Sequence, residues 1–319
     1  MPNPALKLIL ISPLSEAHRA AIAQLFPEFT VVDCSRQRER VREEIIDAHV
    51  AYGMVKPEEL RVARNLELIQ AGWHGVENLC YPELIERGVA LANCRGMCSQ
   101  TMAEHVIAMV LALYRGIPSA VRSQTEGSWK AGPAAPVLLT GKTMGCLGTG
   151  SVGRRVAEVA RALGCRAIGY NRRGAAAEGF DEIYSGNTLR QFLQTADIVV
   201  SSLPMTKATR AFMDREAFGA MRPSAIFVNV GRGGTVDEDA LLDALEREVI
   251  AGACLDVTSR EPLPPESPLW HAKNCLITPH RSGASDQNEQ AGYEMLVANL
   301  ERYLAGEDLL SRVDPVEGY

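Results

Sequence analysis

A turn of three glycines between an apolar strand and an amphipathic helix limits the fold more than any other segment. Met144-Gly145-Cys146-Leu147 leads in, Gly148-Thr149-Gly150-Ser151-Val152-Gly153 turns the chain, and residues 153–163 read as helix. Gly148 permits a tight turn, Gly150 lets backbone approach a pyrophosphate, and Gly153 lets the helix lie on the strand. The N–H groups of Ser151 and Val152 then open the helix, where the dipole is positive and phosphate binds well. The same glycines in a plain connector would bind nothing. The strand before and the helix after them favour a dinucleotide site.

The turn belongs to a longer alternation. Apolar runs at 143–147, 166–170, 197–201, 225–230, 252–256 and 275–278 predict strands, with a further helix at 237–246. Upstream, strands are expected at 5–11, 29–32, 49–53, 66–71 and 89–92. Polar helix-like stretches lie at 38–46 and 57–64, and Ser15 caps an amphipathic run ending near Phe26. Alternation at this spacing implies α/β architecture with doubly wound parallel sheets, and 319 residues suffice for about two domains. Residues 102–121 predict one long helix, apolar on too many faces for a surface position and so buried between domains or subunits. A Gly-, Pro- and Ala-rich loop at 126–136 carries Trp129. A last helix at 287–303 cannot bury its own apolar face and is expected to return to the first domain.

Composition narrows the function. Hydrophobic residues make up 46% and charged residues 23%, and the net charge is −6. That balance suits a soluble protein and lacks the basic stripe of a nucleic-acid binder. No apolar run approaches the roughly 20 residues of a membrane span. Met1-Pro2-Asn3-Pro4 lacks the basic start of a signal peptide, and the cysteine usage points to a reducing, cytoplasmic compartment. Eight cysteines are present, several in strand-like apolar runs where Cys acts as a small hydrophobe. Cys94 and Cys98 with His105 nearby invite a metal reading. No second tightly spaced pair completes it, so no metal is expected.

Chemistry is concentrated at strand ends. A carboxylate normally stands about 20 residues after the glycine turn and binds ribose hydroxyls. Here that place holds Asn171, followed by Arg172 and Arg173. Loss of the carboxylate removes repulsion of a 2′-phosphate, and guanidinium grips phosphate, so NADP(H) is expected ahead of NAD(H). Arg232 follows an apolar strand, where ligands gather in open α/β sheets; pairing with Asp237 or Glu238 is the plain alternative. Glu261 alone reads as a surface acid and His280, after Pro279, as a loop residue. Together the three are what hydride transfer to a 2-keto acid requires. A cation holds the carboxylate, an imidazole supplies the proton, and an acid favours imidazolium.

The chain resembles the D-isomer-specific 2-hydroxyacid dehydrogenases, most specifically from Thr143 to Gly283. The matching segments include Leu203-Pro204-Met205-Thr206, Val236-Asp237-Glu238, Leu255-Asp256-Val257 and Thr278-Pro279-His280. The resemblance implies that Arg232 binds the substrate carboxylate and keto oxygen, that His280 is the acid/base and that Glu261 partners it. It implies cofactor contacts at Leu203, Pro204 and Asp256, the last orienting the nicotinamide. It also implies a Rossmann cofactor domain, 101–284, inserted in a flavodoxin-like substrate domain, 1–100 with 285–319. Gly75-Val76-Glu77-Asn78 looks like the family's substrate loop, which makes Trp73, His74 and Gly75 candidate substrate contacts. Both Trp73 and His74 stand where small residues are common, so they either narrow the site or pack the loop. Glu77 and Thr258 also depart from commoner types. The Tyr52-x-x-x-Lys56 pattern of short-chain reductases precedes the glycine turn and is read as chance. The expected activity is NADPH-dependent reduction of a glyoxylate- or hydroxypyruvate-like acid to the D-2-hydroxy acid by a homodimer. The alternatives are a phosphite-like dehydrogenase and a dinucleotide-sensing corepressor-like binding protein.

Overall fold

Short apolar runs buried on both faces pair in parallel, because helical crossovers return each strand to the same end of its sheet. The computed structural model describes residues 6–129 and 135–316. Met1–Pro4, Ala5 of the first expected strand and the centre of the 126–136 loop lie outside the described residues. The chain divides into two compact units, residues 1–97 with 285–319 and residues 98–284.

In the first unit β1 (Leu6–Leu10), β2 (Phe29–Asp33), β3 (Val50–Tyr52), β4 (Leu68–Gln70) and β5 (Ala90–Ala92) form one parallel sheet in the order β2-β1-β3-β4-β5. This is the flavodoxin-like order. Ile9, Ala51 and Ile69 face one core, and Leu8, Leu10 and Leu68 face the other. Ser15 caps the helix Glu16–Leu25 by accepting from the His18 amide. The helix Asn288–Ala305 buries Leu296 and Leu300 with Leu8, Leu10 and Ile22. Its one fully buried polar residue, Asn299, donates to Gln70 Oε1 at 2.6 Å and accepts from the Leu310 amide at 2.8 Å. The helices expected at 38–46 and 57–64 shrink to single turns such as Val41–Glu44 and Pro57–Leu60.

The second unit contains β6 (Thr143–Leu147), β7 (Arg166–Tyr170), β8 (Glu182–Tyr184), β9 (Ile198–Ser201), β10 (Ile226–Asn229), β11 (Gly252–Leu255) and β12 (Cys275–Ile277). Their order is β12-β11-β10-β9-β6-β7-β8, all parallel. The strand sequence reverses direction between β6 and β9, as in a Rossmann fold, and the glycine turn leaves β6 at that point.

The single helix expected at 102–121 is two. Ser99–Tyr114 and Ile117–Thr125 are bent apart by 66°. Gly116 takes φ +67° and Pro118 lacks an N–H, so helical hydrogen bonding stops there. The first helix is buried by its own unit, with Ala103, Val106 and Val110 against Val152, Val156 and Ala160 of the helix Ser151–Ala162. The second exposes Ile117 and Val121. Among the described residues no single helix is long and apolar enough to cross a membrane.

Candidate active site

The turn after β6 shows what each glycine does. Gly148 adopts φ +98°, and its amide donates to the Tyr170 carbonyl at 3.0 Å. A Cβ on Gly153 would stand 2.0 Å from the Gly148 oxygen, so only glycine lets the helix lie on the turn. Gly150 has an ordinary φ of −74°. A Cβ there would meet nothing within 4 Å, so its requirement is not internal packing. As N-cap it brings no side-chain acceptor, which leaves the helix's first amides for an outside acceptor such as pyrophosphate. Val152 contributes backbone only, since its side chain is buried in the core. These features fit a dinucleotide.

Asn171 follows β7. Its Nδ2 donates to Thr149 Oγ1 at 3.1 Å and to the Ala175 carbonyl at 2.9 Å, and its Oδ1 accepts from the Arg173 amide at 3.1 Å. The side-chain amide therefore shapes the loop and ties it to the glycine turn. A carboxylate could not make those two donations. Arg172 and Arg173 are exposed on the same loop.

Arg232 follows β10, and its loop is locked from both ends. Buried Asn229 accepts from the Gly231 amide at 3.1 Å and donates to the Arg232 carbonyl at 3.2 Å. Thr235 Oγ1 donates to that carbonyl at 2.6 Å. A Cβ on Gly231 would lie 2.6 Å from the Leu203 carbonyl oxygen, and one on Gly233 would lie 1.9 Å from the Thr258 carbonyl carbon. The Gly-Arg-Gly segment is thus wedged between the Leu203-Pro204 strand end and the segment that carries Glu261. Arg232 is half-buried, with Nη1 donating to the Gly231 carbonyl at 2.8 Å. Asp237 caps the helix Glu238–Glu246, and Glu238 holds the Ser259 amide at 2.5 Å and hydroxyl at 2.7 Å.

His280 follows β12 in the left-handed region, at φ +51°. Its Nδ1 lies 2.6 Å from Glu261 Oε2, and Glu261 Oε1 accepts from the Thr258 amide at 3.0 Å. Facing a carboxylate, Nδ1 carries the proton, and Nε2 is the ring nitrogen available to a ligand. The His280 side chain is 51% exposed and that of Glu261 36%. A ligand can therefore reach the pair.

Asp256, at the end of β11, is 2% exposed. Burial by itself would raise its carboxyl. Hydrogen bonds from Ser282, Thr278 and the Arg281 amide outweigh burial and hold it below the ordinary range. Its Oδ1 takes Thr278 Oγ1 at 2.6 Å and the Arg281 amide at 2.8 Å, while Oδ2 takes the Ser282 amide at 2.8 Å. The Ser282 hydroxyl adds a further hydrogen bond, and the carboxylate is wholly enclosed.

Trp73, His74 and Gly75 belong to the first unit. Trp73 packs half-buried against that unit's core, and the His74 carbonyl accepts from Asn93 Nδ2 at 2.6 Å. Tyr52 of the short-chain-reductase pattern is buried on β3, and burial pushes its phenol up. Among the described residues no three His, Cys, Asp or Glu side chains converge to hold a metal, and His105 is hydrogen-bonded to Thr278. Sequence reasoning passed over Asn229, Glu238 and His105 as parts of the site. Asn229 carried a signal, being polar at the end of an apolar strand. A carboxylate in a first helical turn and a histidine on an apolar helix carried none.

Residues 107–282 match the family model described as D-isomer specific 2-hydroxyacid dehydrogenase, NAD binding domain. The chain is 31% identical to a glyoxylate reductase of Korarchaeum cryptofilum, over 79% of this chain and 77% of that one. It is 30% identical to the D-3-phosphoglycerate dehydrogenase of Methanocaldococcus jannaschii over 94% of this chain, but spans only 58% of that protein. A D-isomer specific 2-hydroxyacid dehydrogenase from Xanthobacter autotrophicus, solved with NADPH and MES, superposes with a TM-score of 0.85 at 32% identity. The match covers 99% of this chain and 100% of that one.

Proposed function

This chain belongs to the D-isomer-specific 2-hydroxyacid dehydrogenases, NAD(P)-dependent oxidoreductases, and from that premise we propose that it reduces a small 2-keto acid with NADPH. The substrate is of the glyoxylate or hydroxypyruvate class and the product is the D-2-hydroxy acid. The observation that carries this reading is the Glu261–His280 pair at 2.6 Å, with Glu261 on the segment whose Thr258 backbone packs against Gly233 of the Arg232 loop. Bound NADPH would supply the hydride. Gly148, Gly150, Ser151, Val152 and Gly153 would hold its pyrophosphate, with Leu203, Pro204 and Asp256 assigned to the nicotinamide half on the strength of the sequence resemblance. Arg172 and Arg173, on the loop shaped by Asn171, would hold a 2′-phosphate. The NADPH bound in the Xanthobacter relative supports the same choice.

Arg232 anchors the substrate carboxylate and sets positive charge where oxyanion forms. His280 donates its Nε2 proton to that oxygen, and Glu261 stabilises the imidazolium before transfer. Residues 98–284 act as the cofactor domain and the remaining unit as the substrate domain. Trp73, His74 and Gly75 contribute to substrate binding on the strength of the sequence resemblance. The working form is a cytoplasmic homodimer, since Ile117, Val121, Trp129, Val137 and Leu138 expose apolar surface along one segment of the second unit.

The test is substitution at Arg232. Lys keeps charge without the bidentate fork, so Arg232→Ala loses far more kcat/KM than Arg232→Lys, while NADPH binding is spared in both. Near-normal turnover by the alanine variant removes Arg232 from the site.

A further inference from the structure

Thr278 lies between two side chains that no sequence pattern joins. Its Oγ1 is 2.6 Å from Asp256 Oδ1 and 2.9 Å from His105 Nε2. Asp256 Oδ1 also accepts from the Arg281 amide at 2.8 Å, so it is an acceptor in this cluster. The Thr278 hydroxyl therefore donates to Asp256 and accepts from His105, which places the His105 proton on Nε2. Donors run in one direction, from His105 through Thr278 to Asp256, and bonds aligned this way strengthen one another.

The chain of donors ends on the loop that carries His280. Asp256 holds three consecutive amides there. Its carbonyl accepts from His280 at 2.8 Å, Oδ1 from Arg281 at 2.8 Å and Oδ2 from Ser282 at 2.8 Å. His280 is in the left-handed region at φ +51°, a conformation that costs a residue with a Cβ and persists only where its surroundings enforce it. His105 enters from the helix Ser99–Tyr114, whose Ala103, Val106 and Val110 are fixed in the unit's core. The far end of the chain of donors is rigid.

We propose that His105 is a positioning residue for His280, acting through Thr278 and Asp256 and not through substrate. This rests on the reading of His280 as acid/base. It gives a histidine on an apolar helix a part in the chemistry, and it explains why a buried carboxylate ends β11.

The test uses the full chain and three variants. His105→Leu removes the donor, His105→Gln keeps an N–H of similar reach, and Thr278→Val removes the hydroxyl at constant shape. Two quantities are read, NADPH-dependent reduction of glyoxylate and deuterium exchange of the Arg281 and Ser282 amides. His105→Leu and Thr278→Val are expected to lose about tenfold in kcat, the scale of a small misplacement of a catalytic group. KM for NADPH is expected to hold, those two amides to exchange faster, and His105→Gln to restore most of both. An unchanged kcat in His105→Leu, or a loss of kcat without faster exchange, overturns the proposal. If His105→Leu does not fold, the same comparison is made between His105→Gln and Thr278→Val. If the wild type reduces no 2-keto acid, the reading of His280 fails and exchange alone decides. Faster exchange rescued by Gln then supports positioning, and unchanged exchange overturns it.

Discussion

Replacing Gly233 with alanine should harm catalysis through the backbone alone. The new Cβ would stand 1.9 Å from the Thr258 carbonyl carbon and 2.0 Å from its oxygen, where ordinary contact begins at 3.4 Å. Relief takes about 1.5 Å of movement, and both atoms belong to the main chain, so no rotamer change supplies it. The Thr258 amide holds Glu261 at 3.0 Å, and Glu261 holds His280 at 2.6 Å. A displacement of that size reaches the acid/base pair directly. Misplacement by 1 Å can cost about a hundredfold in rate, and overpacking costs about 1–3 kcal/mol of stability. Gly233→Ala should therefore lower kcat by about a hundredfold and lower the melting temperature, with NADPH affinity retained. Gly150→Ala is the matched control. Its Cβ meets nothing within 4 Å, so it should keep wild-type stability and lose NADPH affinity instead. Steady-state kinetics, NADPH fluorescence titration and thermal unfolding read all three quantities. A Gly233→Ala enzyme with near-wild-type kcat would refute the coupling of the Arg232 loop to the Glu261 segment.

Other expectations are independent of that pair. Arg172→Ala with Arg173→Ala should weaken NADPH about tenfold relative to NADH, the loss of exposed charge-assisted bonds, and an unchanged ratio returns both to solvated surface charges. Asn171→Asp is a poorer probe, because it deletes the donations to Thr149 and Ala175 and so disturbs the loop as well as the charge. The native carboxyl of Asp256 titrates below its ordinary 3.8, so its stabilisation is complete above that pH and is lost as pH falls through the lower native value. Acid unfolding followed by circular dichroism should accordingly be shallower in Asp256→Asn, and an identical slope contradicts the assignment. Val121→Glu with Leu138→Glu should convert a dimer to monomer in sedimentation, and a wild type that is already monomeric at micromolar concentration ends the dimer proposal.

Legibility followed burial. The strands β6 and β7 were readable to the residue because continuous apolar runs between turn residues have few other uses in a chain this size. β8 was not, since Glu182-Ile183-Tyr184 is a three-residue edge strand with no period to detect. The break between Ser99–Tyr114 and Ile117–Thr125 was written in Gly116 and Pro118, but apolar composition on both sides concealed it. Candidate site residues stood out where a motif gathered them around a strand end, as with Arg232 and His280. The side chains that hold them did not. Glu238 and His105 reach their partners, Ser259 and Thr278, across distant segments, and nothing in their local sequence encodes the partner. Asn171 shows the limit from the other side. Its lack of charge was legible, whereas its hydrogen bonds to Thr149 and Ala175 emerge only from the fold.

The most direct test of the central claim is initial-rate NADPH oxidation by the wild-type protein against glyoxylate, hydroxypyruvate and larger 2-keto acids. NADH and oxidation of D-3-phosphoglycerate are run alongside, with the configuration of the product determined. The account predicts turnover of the small 2-keto acids, higher kcat/KM with NADPH than with NADH, and D-glycerate from hydroxypyruvate. Absence of turnover with every 2-keto acid, or efficient oxidation of D-3-phosphoglycerate with NAD in their place, would contradict it.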